Sequence, residues 1–326
     1  MRKIILDTLG IDSGLDVFVK GAIDSAKAYP EYRMVLVGPK QDILKSIELN
    51  GGDSNVFDII DASVEFKATD SPMDIPRERD ETSLVAAFNA LRNDDEAVAI
   101  ISCGATGGFL IASIFRLGLL GGIKKPALAS PMINIKQKWF TLVDCGANLD
   151  CDAKTLTKFA KMGSALMKSA FGNLESPRVG LLNVGKEETK GNQVLKETYP
   201  MLKETSLNFI GNIEGHDIYL DKVDVVVADG YTGNVFLKGA SALAEICEVI
   251  VKSCGKDDPN IQKASGTIHK MFNYNEQGAA IVLGSKKICL KAHGTATSET
   301  ILSSVRQAVN LDKGNFIQHM EEELNK

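Results

Sequence analysis

Residues 178–192 read RVGLLNVGKEETKGN. The apolar run Val179–Leu182 has the pattern of a strand buried on both faces. The chain then leaves the core and sets Lys186, Glu187, Glu188, Thr189 and Lys190 between Gly185 and Gly191. One reading is a solvated helix start, with Lys186 and Lys190 four apart on one face. The flanking glycines argue for another, because glycine weakens a helix unless the backbone geometry calls for it. In that reading the segment holds a small anion. Lys190, Thr189 and Asn192 donate to its oxygens, Gly191 lets the backbone come close, and Glu187 and Glu188 hold the lysines or act as a base.

The same order of events recurs along the chain. Strand candidates are KIILDTL, RMVLVG, AVAIIS, WFTLVDCG, RVGLLNVG, NFIGNIEG, VDVVVADG and KKICLKAHG, most of them followed by Gly, Asp or Asn. Helical patterns fall at 15–28, 83–92, 105–117, 153–171, 191–204, 233–253 and 298–310. Buried strands alternating with helices predict an α/β fold with a mostly parallel sheet covered on both faces. In such sheets the strand carboxyl ends and the following helix amino ends share one edge, so the glycine-rich segments are expected to meet in one crevice. No repeat or long linker divides the chain, which predicts a single unit over 1–326. A helical hairpin about 233–275, expected to be the dimerisation element, turns at GKDDPN, residues 255–260.

Bulk properties narrow the function. A chain of 326 residues suits one large α/β unit or two lobes. The net charge of −5 gives no footprint for nucleic acid. The 6 cysteines lack paired metal spacing, so no metal is expected, and reduced thiols in a cytosolic protein are the simplest account. No run approaches the ~18–20 apolar residues of a membrane span, and the opening MRKIILDTLGIDSG reads as a first strand rather than a signal peptide.

Four further segments carry candidate chemistry. SCGATGG (Ser102–Gly108) joins a strand to a helix. Its Ser102, Gly104, Thr106 and Gly107 form either a cradle for phosphate or a thioester carbonyl, or simply a tight turn. Cys103 is either a nucleophile favoured by a helix amino end or a small buried residue. NFIGNIEGHDI supplies Asn212 and Glu214, while His216 reads as a surface residue. VVVADGYTGNVFLKG supplies Asp229 and Asn234, where a strand empties into a helix. KAHGTATSET supplies Lys291 and His293. His293 either protonates a leaving group or serves as a capping residue. KKPALASP starts another strand.

Together DCGANLDC, FAKMGSALMK, PRVGLLNVGKEETKGN, NFIGNIEGHDI and DGYTGNVFLK resemble the PlsX family, in family order and spacing. KKPALASP and KAHGTA extend the resemblance to nearly the whole chain. It implies a three-layer α/β/α fold similar to phosphotransacetylases and isocitrate dehydrogenases. It also implies a cytosolic homodimer and a phosphate acyltransferase of phospholipid synthesis. Such an enzyme makes acyl phosphate from inorganic phosphate and an acyl thioester on acyl carrier protein, with no cofactor. KEETKGN then belongs to the phosphate and acyl-transfer site. Lys190, Lys291 and His293 become the catalytic candidates, and Asp229 and Asn234 shape the pocket.

The chain also departs from the family pattern. DTLGIDSG keeps only Asp7, Gly10 and Asp12 of the family's Asp-Ala-Met-Gly-Gly-Asp start. Cys103 and Ala105 replace Ala and Asn in the SCGATGG loop, and Lys186 stands where the family has an acid. These changes leave open a short-chain phosphate acyltransferase, such as the PlsX-like alpha subunit of amino-acid reductase component C, with Cys103 as acyl carrier. A non-catalytic scaffold for acyl carrier protein and a nicotinamide-dependent dehydrogenase are further rivals, the latter without a dinucleotide fingerprint. The two acids at the hairpin turn predict weak membrane contact at most.

Overall fold

The computed structural model is described over residues 1–77, 82–171, 174–255, 257–272 and 278–326. Lys256 of the expected hairpin turn and residues 273–275 at its expected end lie outside the described residues. The chain begins β1 (Arg2–Asp7), α1 (Leu15–Ala28), β2 (Tyr32–Gly38), α2 (Lys40–Leu49), β3 (Phe57–Asp61), α3 (Ser83–Asn93), β4 (Ala97–Ser102) and α4 (Thr106–Ala112). It continues through β5 (Ala127–Ile133), β6 (Trp139–Val143), α5 (Ala153–Ser169), β7 (Arg178–Leu182), α6 (Gln193–Lys203), β8 (Asn208–Ile213) and β9 (Val225–Val227). Then come α7 (Gly230–Ser253), α8 (Pro259–Phe272), β10 (Ala280–Leu283), β11 (Ile288–Lys291), α9 (Ser298–Lys313) and α10 (Phe316–Asn325).

Contacts divide the chain into two compact units, Met1–Pro126 with Gly278–Ile317, and Ala127–Gln277 with Gln318–Lys326. In the first unit the strands run in the order β3-β2-β1-β4-β11-β10. Its pairs are parallel except for β10 against β11. In the second unit the order is β5-β6-β9-β7-β8. Only β5 against β6 is antiparallel there. The expectation of a mostly parallel α/β fold is met. Buried Ile4, Leu6, Met34, Leu36 and Ile100 fill the strands of the first unit, and Leu142, Val179, Leu181 and Val226 those of the second. Strands covered on both faces need such continuous apolar runs.

The helix starts position the site. Side chains of Thr82, Asp152, Asn192, Asp229 and Thr297 accept backbone N–H groups and cap α3, α5, α6, α7 and α9. Each cap satisfies a donor that the first helical turn leaves without an internal partner. Helix α6 begins only at Gln193, so residues 183–192 are loop, and Lys186 and Lys190 share no helix face. Gly185 and Gly191 win over the i,i+4 charge pattern. The expected hairpin corresponds to α7 and α8, which pack together. No helix among the described residues is long and apolar enough to cross a membrane.

Candidate active site

In the first unit the chain winds outward from β1 to β2 and β3, then returns to put β4 on the other side of β1. That reversal is where open α/β sheets form ligand crevices at their strand carboxyl ends. Register brings Asp7 beside Ser102 and Ser102 beside Lys291, so three polar residues end three adjacent strands. The hydroxyl of Ser102 donates to Asp7 Oδ2 at 2.7 Å and accepts from the Gly104 N–H at 3.1 Å. Gly10, at φ 78°, brings the loop after β1 onto this turn, and a Cβ there would lie 2.4 Å from Gly104 Cα.

Burial shapes the charge of this edge. It pushes the Asp7 carboxyl up to about 6, against hydrogen bonds from Ser83, Ser102 and the Leu9 N–H. It pulls the Lys291 ammonium down to about 8, against the attraction of Cys103, Asp7 and Asp12. Lys291 Nζ donates to the carbonyls of Cys103, at 3.2 Å, and Ala292. Burial also pushes the Cys103 thiol up to about 12, with Lys291 opposing. His293 is exposed, and its Nδ1 lies 2.9 Å from the Thr295 hydroxyl and 3.4 Å from the Thr295 N. Thr106 and Gly107 are exposed in the first turn of α4.

The second unit builds its edge differently. Asn183, just past β7, closes the 183–192 loop on itself. Its Nδ2 donates to the Lys190 carbonyl at 3.1 Å and its Oδ1 accepts the Val184 N–H at 2.8 Å. Gly191, at φ 92°, runs so close that a Cβ would lie 2.7 Å from Asn183 Oδ1. Asn212 Nδ2 holds the Glu187 carbonyl at 2.9 Å from the neighbouring strand. Glu188 pairs with Lys203 and Lys186 with Asp217, whereas the exposed Lys190 has no ion-pair partner among the described residues.

Beside this loop, residues Asp150, Cys151, Asn192, Asp229, Tyr231 and Thr232 line a cavity of about 280 Å³. They belong to the starts of α5, α6 and α7. Peptide dipoles and free N–H groups make such starts attractive to anions. Asn192 Oδ1 caps α6 through the Leu195 N–H, which leaves its Nδ2 to donate outward. Asp229 is engaged by both the N–H and the hydroxyl of Thr232. Asn234 Nδ2 donates to the Cys145 carbonyl at 3.1 Å. Buried Asp144 gathers the N–H groups of Leu128, Gly146, Ala147 and Asn148, and so fixes the DCGAN turn next to α7.

A family model described as "Fatty acid synthesis protein" matches residues 2–319. The chain belongs to this family, PlsX. A phosphate acyltransferase of Clostridium tetani is 35% identical over 329 residues, covering 99% of this chain and 98% of the relative. One from Thermoanaerobacter pseudethanolicus is 32% identical over 331 residues, covering 99% and 97%. Among solved structures, a phosphotransacetylase from Streptococcus pyogenes is similar at TM-score 0.66 and 14% identity, covering 95% of this chain and 94% of that one. A branched-chain phosphotransacylase from Enterococcus faecalis is similar at TM-score 0.56 and 14% identity, covering 95% and 99%. At that identity the solved structures speak for the fold.

Within this PlsX framework the sequence candidates fall into two groups. Ser102, Cys103, Gly104 and Lys291 adjoin in the first unit, with Thr106, Gly107 and His293 on flanking loops. Thr189, Lys190, Gly191, Asn192, Asn212, Glu214, Asp229 and Asn234 follow strands in the second. Two roles change. Ser102 is fully buried with its hydroxyl donating and accepting internally, so it shapes the turn and is closed to a ligand. Cys103 is buried and protonated at neutral pH, which turns its two readings toward the structural one.

Glu214 starts a short turn that it caps together with Asp217. Asp217 is buried, which raises its carboxyl, yet Lys222, the Glu214 N–H, Lys186 and His216 bring it down to about 2. Ligand atoms of Glu214, His216 and Asp217 lie within 4.8 Å of one another. Lys222 and Lys186 already engage the central carboxylate, which disfavours a cation there. Sequence reasoning missed Asn183, Asp144 and Cys151 as parts of the site. Asp7 enters it only through the opening motif, although it ends its strand as Ser102 ends the next.

Proposed function

We propose that this chain is a phosphate acyltransferase that moves an acyl group from a thioester to inorganic phosphate, with acyl carrier protein as the donor's carrier in phospholipid synthesis. The observation that carries the reading is the cavity at the starts of α5, α6 and α7, beside a loop whose Lys190 has no ion-pair partner among the described residues. Three helix starts and one ammonium suit a small dianion. Lys190, Thr189 and the Asn192 amide orient phosphate, while Asp229 and Asn234 hold α7 and the DCGAN turn in place. A phosphate oxygen attacks the thioester carbonyl carbon, the C–S bond breaks, and the thiolate leaves to take up a proton. Orientation of the two reactants supplies much of the rate. Lys291 and His293 stay the first unit's candidates for charge stabilisation and for proton donation to a leaving thiolate.

A panel of acyl thioesters, assayed for phosphate-dependent release of free thiol, tests the assignment. Release that does not depend on phosphate, or no release from any donor, rejects it. The same proposal extends to a homodimer, supported by exposed Ile246, Val249 and Ile250 along one face of α7. Light scattering that gives a monomer at micromolar concentration counts against the dimer. Asp257 and Asp258 are exposed between α7 and α8, and they favour weak or no binding to anionic vesicles. Flotation of the purified protein with such vesicles at low ionic strength would contradict that.

A further inference from the structure

Within the 183–192 loop the Lys190 N–H donates to the Glu187 carbonyl at 3.0 Å, so residues 187–190 form a tight turn with Thr189 and Lys190 exposed on it. Such a turn belongs to no helix or strand, and its place is set by what grips its two stems. The outgoing stem is gripped by Asn183, whose Nδ2 donates to the Lys190 carbonyl at 3.1 Å. The incoming stem is gripped from β8 and the turn that follows it. Asn212 Nδ2 donates to the Glu187 carbonyl at 2.9 Å, and one residue earlier Lys186 Nζ lies 3.2 Å from Asp217 Oδ2. The loop's other ion pair, Glu188 with Lys203, is more than half exposed on both sides, where water screens it. Asp217 is different. Its side chain is 2% exposed, its Oδ2 accepts the Glu214 N–H at 3.2 Å, and its Oδ1 meets Lys222 and, at 3.3 Å, His216 Nε2. Burial raises the carboxyl, yet Lys222, the Glu214 N–H, Lys186 and His216 bring it down to about 2, so it is an anion throughout the neutral range.

We propose that Lys186 is a positioning residue for phosphate use: its contact with Asp217 fixes the incoming stem of the 187–190 turn and so sets where the Lys190 ammonium stands. The proposal rests on the assignment of Lys190 to phosphate and names the side chain that places it. Lys186 spends its own charge on Asp217 and acts on phosphate only through Lys190. A charge-assisted contact loses much of its worth when donor and acceptor are out of line, so a stem that shifts costs the contact that Lys190 makes. Lys222 separates this role from the charge of the cluster as a whole. It meets the same carboxylate, but it lies after β8 and belongs to no stem of the turn. It also keeps Asp217 paired when Lys186 is replaced, so no buried charge is left alone.

The test measures thiol release against phosphate concentration for the wild type, Lys186→Met, Lys186→Arg and Lys222→Met, and for Lys186→Met combined with Lys190→Ala. In Lys186→Met, KM for phosphate should rise about fivefold, while kcat and KM for the thioester stay within about twofold. Lys186→Arg, which keeps a cation for Asp217, and Lys222→Met should both stay within about twofold of the wild type. In the Lys190→Ala background, Lys186→Met should add less than about twofold, because no ammonium is left to place. An unchanged KM for phosphate in Lys186→Met overturns the proposal. So do losses that multiply in the double variant, an equal rise in Lys222→Met, or a Lys186→Arg protein no better than Lys186→Met. If no thioester supports release, or if Lys190→Ala leaves phosphate use unchanged, the underlying reading fails on its own. The clasp is then judged by limited trypsin digestion of the folded proteins, read as the rate of cleavage after Lys190. Cleavage at least about fivefold faster in Lys186→Met than in the wild type and Lys222→Met keeps Lys186 as the hold on the turn, and equal rates in all three remove it.

Discussion

The two units finish their parallel strands with opposite solutions. The first buries its charges. Asp7, Lys291 and Cys103 lie under the surface, and burial displaces all three from their ordinary protonation ranges. The second lines its cavity with the starts of three helices, among them Asp150, Asn192 and Asp229, and leaves Lys190 exposed on a loop tied down by Asn183 and Asn212. A buried ammonium acts strongly on nearby charge because little water screens it, and it can lose its proton near neutral pH. Helix dipoles act more weakly but at every pH. The first edge should therefore answer to pH and the second to truncation of single donors.

The comparison breaks most readily at Lys291. Lys291→Met keeps the bulk of the side chain and removes the charge. It should lower kcat/KM for phosphate-dependent thiol release by about a hundredfold to a thousandfold, as the loss of a transition-state donor does elsewhere. Activity within threefold of wild type would reduce the first edge to scaffolding. Lys190→Ala comes next. Loss of one charge-assisted contact to phosphate should cost about 2 kcal/mol, roughly thirtyfold, and appear in the saturation curve for phosphate. An unchanged curve and turnover would remove Lys190 from the site.

A pH series sharpens the contrast. The kcat/KM profile should fall above a pH of about 8, as Lys291 loses its proton, and below a pH of about 6, as Asp7 gains one. Lys190→Ala should lower the whole profile without moving either limb. Stability follows the same groups. Folding lowers the Lys291 value from 10.5 to about 8, so the unfolded chain binds the extra proton and stability rises with pH across that window. Folding raises the Asp7 value from 3.8 to about 6, so this contribution falls as pH rises through that window. Thermal melts of wild type against Lys291→Met and Asp7→Asn would show each slope disappear in its own variant. The smallest effect belongs to Cys103→Ala. A thiol outside the reaction path should leave turnover within about twofold, whereas a covalent acyl carrier would lose nearly all of it.

Much of this was legible before the fold. Apolar runs followed by Gly, Asp or Asn located most strands, because a buried strand must be apolar and a chain turning toward a helix start needs short polar or flexible residues. β3, with the half-exposed pattern of FDIID, lacks that contrast. Gly185 and Gly191 correctly marked residues 183–192 as loop rather than helix. What holds that loop was hidden, since Asn212 reaches Glu187 from another strand. Ser102 and Cys103 looked available because sequence does not show how deep a turn lies. The Lys291 shift comes from burial at a strand end, against Asp7 and Cys103, and these groups meet only through strand pairing across most of the chain length.

The return of the chain to its first unit bears on how the protein is made. β11 lies between β4 and β10, so the first sheet lacks an interior strand until residue 291 has left the ribosome. The second unit also takes its last piece from the end of the chain, where Glu323 pairs with Lys168 and His319 meets Ser169. Domains synthesised in one stretch can fold one after the other as they emerge. Here the nascent chain must carry an open edge at β4 through the whole synthesis of 127–277. Unpaired strand edges invite wrong partners, so protection of β4 during translation is a demand that this topology places on the cell.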